Sequence, residues 1–571
     1  MIPELFENDR DTENLPTERP SNSTQDERKS NRPTQPPKWT HDYHMLLAVS
    51  NIDNPIVSEN PPPQTVTEAL QSPDKKLWTA AINKELKSFE DNNVWKLVER
   101  TPNIKPIHTK WVFKIKTDSK SNTNTFKARL VAKGFTQQYN IDYQETFSPV
   151  IRYSNLRLLF ALAAKFDLDI EHLDVDTAFL SGDLKETIFV EPPECFHLNK
   201  KDKNKVLRLE KAMYGLKQSS RVFNEKAHSF FIHNGFKQSK FEPCIYRKNI
   251  NNTIIIIALY VDDFYIFHNN VHEVNKLKTI LKNSFQIKDL GSITNCLGLE
   301  VQRNRKRGEI KLNHTKYINN LLNKFQMLNC KPVSTPLIDT KFEEDIPVRP
   351  DLEKPYQQLI GSLLYLAITS RPDILYPVTF LSQFNRKPTQ QHWTCAQRIL
   401  RYLKGTSNLS LTYKKSDHDL IGYSDSDWAN NCPERKSFSG NVFTYSDCAI
   451  SWECQKQKTT SLSSTEAEYI ALTLAAKEAI HLKFLLHELI NRKDSALIFT
   501  DNQNAKRIAE NPVQQNRTKH IDVRYWFLRN DVRNNDITVE YLSTSDMPAD
   551  FLTKPVPAPK QKFCSQKIGL R

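Results

Sequence analysis

One segment, residues 253–267, constrains the fold more strongly than any other part of the chain. Two β-rich apolar runs flank a single acidic dipeptide, Asp262-Asp263, which predicts a β-hairpin with two carboxylates at its tip. The tip contains no Gly or Asn-Gly, so turn chemistry alone does not explain these residues. Adjacent carboxylates repel each other, but their oxygens are the ligands that hard divalent cations prefer. We therefore expect a metal site here rather than a solvated turn.

A third acidic residue, Asp174, stands near the end of a predicted strand over residues 168–175. From the residues alone, a solvated turn aspartate is an equally good interpretation of Asp174. If its strand lies beside the hairpin, three carboxylates can share two metal ions. Such a pair of ions activates a hydroxyl and stabilises the leaving group of an in-line phosphoryl transfer.

The composition indicates a class of protein without deciding it. The 571 residues carry 80 Lys and Arg against 66 Asp and Glu, a formal net charge of +14. This suits a phosphate-rich partner, although solvated lysine faces give the same balance. The nine cysteines form no CxxC pair, which argues against a zinc site and a disulfide framework. No apolar run is long enough to cross a bilayer, so we expect an intracellular protein with no membrane partner.

The motifs, taken in order, resemble a known family. The letters Tyr-Val-Asp-Asp at 260–263 resemble the YxDD signature of reverse transcriptases. The surrounding segments resemble the Pol polyprotein of copia-type long-terminal-repeat retrotransposons in order and spacing, from about residue 66 to 556. These segments are 127–137, 142–150, 174–183, 211–218, 288–291 and 297–301.

The resemblance implies an α+β polymerase right hand, with fingers, palm and thumb, followed by an α/β ribonuclease H-like domain. It implies RNA-directed DNA polymerase and RNA–DNA hybrid ribonuclease activities. The expected divisions are a disordered N-terminal segment at 1–65, a reverse transcriptase at 66–330, a linker and helical connection at 331–418, a ribonuclease H at 419–555 and a loose C-terminal tail at 556–571.

For the polymerase, the resemblance assigns roles residue by residue. Asp174, Asp262 and Asp263 would hold two Mg²⁺ ions, with Mn²⁺ as an alternative and the Val175 carbonyl as a further ligand. The remaining residues would contact the nucleotide or the nascent pair. Phe179 would exclude a 2′-hydroxyl by its bulk, Lys127 or Arg129 would bind the triphosphate, Gln218 would lie against the base pair, Tyr260 belongs to the signature, and Lys288 would assist pyrophosphate departure.

A second group of acids lies in the C-terminal block, where their order resembles ribonuclease H. Asp425, Glu468, Asp501 and Asp550 would converge on a second pair of Mg²⁺ ions. The sequence leaves alternatives open: Asp427 for Asp425, Glu466 for Glu468 through a capping box, and Asp546 for Asp550. Many such domains have a histidine in the loop just before the last aspartate, whereas here that loop reads Ser-Thr-Ser-Asp at 543–546. His520 is a candidate to approach the site, and a basic and aromatic track for the hybrid is predicted from Arg517, Lys519, Arg524, Tyr525 and Trp526.

The partners implied are an RNA template, a DNA primer, an RNA–DNA hybrid and deoxynucleoside triphosphates, with other Gag and Pol products of the element as further candidates. The expected location is the cytoplasm, within a virus-like particle, and the nucleus. We expect the chain to begin at or just after an integrase tail, so that DNA integration would be the task of a neighbouring segment. An alternative is an inactive or host-adopted copy that only binds nucleic acid.

Overall fold

The structure is a computed structural model that describes residues 62–117, 124–196, 199–202, 204–250, 253–339, 342, 346–429, 434–492, 494–511 and 522–571. The segment predicted to be disordered, 1–65, lies outside these residues apart from its last four. Of those four, Thr65 caps the first helix, where its side chain accepts a hydrogen bond from the Glu68 amide. Across the described ranges, no helix is both long enough and apolar enough to span a bilayer.

The first elements are two helices, a long hairpin and a three-stranded sheet in the order β1-β6-β5. The strand-like segments 110–116 and 126–132, on either side of the turn cluster 118–124, predict a hairpin from the sequence. This prediction is confirmed, because β2 and β3 pair antiparallel over nine residues. Trp78 of the second helix packs edge-on against Phe113 and Phe126 of the hairpin. The bounds are α1 Val66–Gln71, α2 Lys75–Asp91, β1 Trp95–Glu99, β2 Thr109–Thr117, β3 Asn124–Ala132, β5 Asp183–Val190 and β6 Lys205–Lys211.

Two glycines allow the base of this hairpin to approach the chain that follows β6. A Cβ on Gly134 would collide with the carbonyl oxygen of Gly215, and Gly215 itself has a φ of +92°. The Ala132 amide donates to the Tyr214 carbonyl over 2.8 Å. Only glycine tolerates both the contact and the left-handed backbone. The approach brings the hairpin side chains beside Tyr214 and the strands that carry the acids.

The central sheet is antiparallel, in the order β11-β4-β10-β9-β8-β7. Its two central strands, 253–260 and 263–268, are largely apolar because helices cover both faces of the sheet there. Phe264 packs against Phe223 and Phe231 of one helix, whereas Phe267, on the opposite face, packs against Phe160 of another. The bounds are α3 Tyr153–Phe166, β4 Asp169–Val175, α4 Ser219–His233, β7 Lys237–Gln238, β8 Ile245–Ile250, β9 Thr253–Tyr260, β10 Asp263–His268, α5 Val271–Ser284 and β11 Ile287–Ser292.

A four-stranded sheet, β12-β13-β14-β15, and four helices come next. The last strand belongs to the segment predicted as a linker and helical connection, 331–418, yet it pairs with β14 from the preceding region. The division expected at residue 330 therefore does not separate two cores. The bounds are β12 Asn295–Cys296, β13 Leu299–Asn304, β14 Glu309–Asn313, α6 Thr315–Lys324, α7 Glu353–Thr369, α8 Leu375–Ser382, α9 Gln390–Gly405 and β15 Leu411–Lys414.

The C-terminal domain is a mixed sheet in the order β18-β17-β16-β19-β20. Strands β16, β17 and β18 are antiparallel, whereas β16, β19 and β20 are parallel. This is the mixed α/β arrangement expected of a ribonuclease H-like domain. The bounds are β16 Ile421–Ser426, β17 Phe438–Tyr445, β18 Cys448–Lys456, α10 Ser464–Ile490, β19 Ala496–Thr500, α11 Gln503–Glu510, α12 Asp522–Arg533 and β20 Ile537–Tyr541.

Two expectations for the C-terminus are wrong. The segment 556–571 is not loose: it forms helix α13, Ala558–Lys567, and ends in a bridge between Leu570 and Leu411. Cys564, Ile568 and Leu570 are buried, although so few apolar residues among many charges give a weak pattern. The sequence pattern at 546–555 also predicts the start of a terminal helix, but the chain forms two 3-10 turns there, Thr544–Asp546 and Pro548–Leu552, and Pro555 prevents the second from continuing as a regular helix.

Arg157 of α3 joins the central sheet region to the C-terminal domain. Its guanidinium is buried and donates to the carbonyls of Ile450 over 2.7 Å, and of Ile368 and Thr369 over 2.9 Å each. It also lies over the Trp452 ring, 3.7 Å from the centroid. One side chain therefore satisfies carbonyls from α7 and from β18, and it holds the two domains against each other.

We predict that Arg157→Ala lowers the free energy of unfolding by about 2–4 kcal/mol, because three buried carbonyls lose their donor and a cavity remains. Urea unfolding followed by tryptophan fluorescence measures the change. Arg349→Ala is the matched control, since Arg349 is exposed and its guanidinium bonds only to the exposed side chains of Asp351 and, over 3.4 Å, Gln390; its effect should stay within about 0.5 kcal/mol. Equal effects of the two substitutions would contradict the role of Arg157.

Candidate active sites: two carboxylate centres

The first centre, called here the hairpin centre, consists of Asp174, Asp262 and Asp263. The strand register pairs Asp263, the first residue of β10, directly with Asp174 of β4. Asp262 lies in the turn between β9 and β10, and its carbonyl accepts a hydrogen bond from the Val175 amide over 3.0 Å. The sheet therefore brings the three acids predicted from the motifs to one edge.

The turn that carries Asp262 is strained. Val261 has a φ of 51°, a left-handed conformation that β-branched residues rarely adopt. Such a conformation costs about 1–3 kcal/mol and persists only where the surroundings enforce it. Here the two flanking strands are fully paired up to Tyr260 and Asp263. The strain therefore accompanies a geometry that presents two acids at the hairpin tip.

Asp263 has two partners that sequence reasoning missed. His172 Nε2 lies 2.6 Å from its Oδ1, and the Tyr265 hydroxyl donates to its Oδ2 over 3.3 Å. Side chains two residues apart in a strand lie on the same face of the sheet, so Tyr265 is on the face of Asp263. His172 is opposite Tyr265 in the neighbouring strand and therefore lies on that face as well. In the described part of the chain, the carboxylate oxygens of Asp174, Asp262 and Asp263 do not all come within 4.8 Å of one another.

The surroundings disfavour the charged forms of the hairpin acids. Burial, followed by repulsion from Asp263, raises the pKa of Asp262 to about 6 and also raises the pKa of Asp174. Arg129 opposes the shift at Asp262, and Lys127 opposes it at Asp174. Both candidate triphosphate ligands therefore lie within electrostatic reach of the acids.

The structure places the other predicted substrate residues in different settings. Phe179 is half-buried and packs edge-on against Tyr214. The Arg129 guanidinium also contacts Tyr214 and lies 4.8 Å from the centroid of its ring. Tyr260 is buried at the end of β9. Lys288 of β11 is opposite Asp174 of β4 in the backbone register of the sheet. Gln218 is buried, and its amide bonds to Gln137 and to the Asp142 carbonyl. In this structure, therefore, Gln218 holds a loop.

The second centre, called here the C-terminal centre, consists of Asp425, Glu468, Asp501 and Asp550. Asp425 lies at the end of β16, and Asp501 follows β19. These strands are parallel neighbours, so their carboxyl ends meet at one edge of the sheet. Asp550 lies in the 3-10 turn that packs on the same edge. Asp425, Asp501 and Asp550 each place one carboxylate oxygen within 4.8 Å of the other two.

The structure discriminates between the alternatives for this centre. Glu468 is buried and its Oε1 accepts from the Ser426 amide over 3.2 Å, next to Asp425. Glu466 instead bonds the Leu462 amide at the start of α10. Asp427 accepts from the Phe438 amide, and Asp546 is exposed beside Ser545. These alternative acids therefore have local structural tasks.

The residues present fit a divalent cation. Asp425 Oδ1 and Glu468 Oε2 are buried without a hydrogen-bond partner, although such oxygens are costly to desolvate. Burial raises the pKa of Asp425 to about 6, and burial followed by repulsion from Asp425 raises the pKa of Glu468 well above its usual value. Three aspartates that share a space of 4.8 Å, with the buried Glu468 beside Asp425, provide the carboxylate oxygens that Mg²⁺ prefers.

The predicted hybrid track is only partly described. Arg517, Lys519 and His520 lie outside the described residues, and so does the side chain of Tyr525. Arg524 is half-buried at the start of α12, and Trp526 is exposed. The track therefore stays a prediction.

Comparison with known proteins adds independent findings. Residues 92–339, which contain the whole hairpin centre, match the family of reverse transcriptases (RNA-dependent DNA polymerase). The chain is 40% identical over 90% of its length to the Retrovirus-related Pol polyprotein from transposon TNT 1-94 of Nicotiana tabacum. It is 35% identical over 89% of its length to that from transposon RE1 of Arabidopsis thaliana. It spans 39% of the first relative and 34% of the second.

A solved foamy viral protease–reverse transcriptase in complex with double-stranded DNA is 13% identical to this chain. The similarity covers 82% of this chain and 70% of the viral one, with a TM-score of 0.43. This likeness is too weak to argue from. The family match and the strand orders define the class instead: a polymerase right hand joined to a ribonuclease H-like domain.

The resemblance that the motifs predicted is therefore confirmed. The chain carries the reverse transcriptase and ribonuclease H portion of a copia-type retrotransposon Pol polyprotein.

We predict that Mg²⁺ binding at the C-terminal centre weakens as the pH falls through about 6, the raised pKa of Asp425. The raised pKa also means that, in the folded, metal-free protein, the Asp425 carboxylate binds a proton more tightly than it does in the unfolded chain. The resulting stabilisation is present at low pH and is lost as the pH rises through about 6. Thermal melts in chelator and in Mg²⁺ across this range measure both effects. Asp425→Asn should remove much of this dependence, and an unchanged profile would contradict the assignment.

Proposed function

We propose that this chain copies retrotransposon RNA into DNA and degrades the RNA strand of the resulting hybrid, by two-metal phosphoryl transfer at two separate carboxylate centres. The family match over residues 92–339 carries the polymerase half, because that range includes Asp174, Asp262 and Asp263. The convergence of Asp425, Asp501 and Asp550 within 4.8 Å supports the nuclease half.

At the hairpin centre, Asp174, Asp262 and Asp263 would hold Mg²⁺, with the Val175 carbonyl as a further ligand. When bound, the ions supply positive charge that activates the primer hydroxyl and stabilises the leaving pyrophosphate. Arg129 and Lys127 would bind the incoming triphosphate, and the fork geometry of the Arg129 guanidinium suits phosphate oxygens. The contact of Arg129 with the Tyr214 ring would orient the guanidinium for this task.

At the C-terminal centre, Asp425, Glu468, Asp501 and Asp550 would hold Mg²⁺, or Mn²⁺ in its place. The bonds from the Ser426 amide to Glu468 and from the Thr544 hydroxyl to Asp501, the latter over 2.7 Å, would keep both carboxylates aimed inward. Fixed ligands of this kind lower the reorganisation needed when the scissile phosphate binds.

The proposed substrates are an RNA template, a DNA primer, an RNA–DNA hybrid and deoxynucleoside triphosphates. The formal net charge of +14 supports a polyanionic partner, because each phosphate contact releases counterions. Other Gag and Pol products of the element are proposed partners. A cytoplasmic particle and the nucleus are the proposed locations.

We predict that Asp263→Asn abolishes primer extension and leaves hybrid cleavage intact, whereas Asp501→Asn does the reverse. Each substitution keeps the shape of the side chain but removes the negative charge that the cation requires. Extension of a labelled primer on RNA and cleavage of a labelled hybrid, both in Mg²⁺, measure the two activities.

Two matched controls are available, Asp183→Asn and Asp546→Asn, since both acids are exposed and neither belongs to the two centres. Both activities should stay near wild type. Unchanged extension in Asp263→Asn would refute the polymerase site. If the wild-type chain binds primer–template in chelator but neither extends nor cleaves at any metal concentration, the alternative of an inert nucleic-acid-binding copy would be correct.

We also predict that Phe179→Ala raises ribonucleotide incorporation about 10–100-fold relative to deoxynucleotide incorporation, because removing the ring opens space for a 2′-hydroxyl. Steady-state kinetics with each nucleotide measure the ratio. Phe166→Ala is the control, since Phe166 ends α3 and is exposed. If Phe179→Ala impaired both nucleotides equally, Phe179 would be a packing residue rather than a selector.

A further inference from the structure

Two lysines enter the C-terminal centre. Lys554 Nζ lies 2.7 Å from Asp550 Oδ1 and 3.5 Å from Asp425 Oδ2. Lys560 Nζ lies 2.9 Å from the other oxygen of Asp550. Neither lysine belongs to the acidic ligand set, and the sequence offered only one hint of them, the spacing of four residues between Asp550 and Lys554.

The local backbone fixes Lys554 in this position. The amides of Thr553 and Lys554 both donate to the Asp550 carbonyl over 3.2 Å, which closes a tight turn after the aspartate. The Thr553 hydroxyl bonds Asp425 Oδ2. Lys554 and Thr553 therefore engage the same oxygen of Asp425, while Asp425 Oδ1 stays without a hydrogen-bond partner.

The charges explain why a cation is needed here. Asp425 and Asp550 are 1% and 2% exposed, and buried like charges this close repel each other strongly. The Lys554 ammonium bridges these two acids and balances part of their charge. An ammonium among carboxylates and a divalent cation require the same oxygens, so the two compete.

Lys560 has a different role. It reaches the centre from α13 and also donates to the carbonyls of Thr544 and Ser545, over 2.7 and 2.8 Å. Asp550 Oδ2 and these two carbonyls are the three acceptors that hold its ammonium. Lys560 therefore ties the C-terminal helix to the turn, whereas Lys554 lies between two of the proposed ligands.

We propose that Lys554 is a positioning residue that occupies part of the cation site. Its ammonium holds Asp425 and Asp550 together before a divalent cation binds, and it sets the Mg²⁺ concentration at which the centre fills by competing for their oxygens. The inference rests on the proposed nuclease function of this centre, and it adds a residue outside the carboxylate set.

The test compares Lys554→Gln with Lys562→Gln in the full chain. Lys562 is exposed on α13, so its substitution makes the same charge change away from the acids. An Asp263→Asn background silences the hairpin centre, and Mg²⁺ alone is titrated by calorimetry at a pH well above 6. We expect Lys554→Gln to bind Mg²⁺ on the order of tenfold more tightly than Lys562→Gln. In chelator it should melt at a lower temperature.

Two further measurements guard against misfolding of the glutamine variant. Lys554→Arg retains the positive charge and should keep the affinity near that of the parent. NMR is used on the parent chain, which carries Asp263→Asn alone, and the Lys554 Nζ signal is assigned by its loss in Lys554→Arg. This signal should shift at the same Mg²⁺ concentration that calorimetry gives for binding. If the chemical shift of the Lys554 Nζ signal did not change on addition of Mg²⁺, the proposal would be overturned even if Lys554→Gln did not fold.

The outcomes separate the two proposals. If the parent binds Mg²⁺ and cleaves a hybrid, but Lys554→Gln binds the ion no more tightly than Lys562→Gln, the lysine proposal fails and the nuclease proposal stands. If the parent neither binds Mg²⁺ nor cleaves, both fail. Tighter binding together with a lower melting temperature in chelator would support the role of Lys554.

Discussion

Mutual repulsion among carboxylates that are wholly or partly removed from solvent is the constraint on which both sites depend. The C-terminal acids lie closer together than the hairpin acids, but in both centres rigid strand ends hold aspartates that would otherwise separate. The register of β4 with β10 fixes Asp174 against Asp263. The parallel pairing of β16 with β19 fixes Asp425 beside Asp501. The raised pKa values of Asp262 and Asp425 are the electrostatic cost of that arrangement.

The domains around these centres form one packed unit. Arg157 bonds carbonyls of α7 and β18, and His481 of α10 contacts Asn155 of the same helix as Arg157 over 3.1 Å. Phe241 stacks on Phe484 of α10 at 5.2 Å. These contacts join α3 and the loop between β7 and β8 to the domain that carries the C-terminal centre. A nucleic acid that reaches both centres would therefore meet two sites with a set separation.

Much of the site was predictable from local pattern. The apolar runs around Asp262-Asp263 predicted the hairpin, and the family motifs identified the strand that ends near Asp174. Prediction failed where a residue's task depends on a distant neighbour. His172 and Gln218 acquire their roles from Asp263 and from the 137–142 loop. The sequence predicted a loose C-terminal segment because it contains few apolar residues. Those residues are buried against strands more than a hundred residues earlier in the chain, and a local pattern cannot show such contacts.

The sequence by itself determined most of the elements upstream of the C-terminal segment, the candidate acids and the family, since period, turn chemistry and motif order are local properties of the chain. Tertiary structure alone decided which acids meet and what balances them. Glu468 rather than Glu466 faces Asp425, because the register of α10 against β16 is set by packing. Lys554 and Lys560 reach Asp550 because a 3-10 turn and the terminal helix converge there. Electrostatic energy depends on distances in space, and these are fixed only when the chain folds.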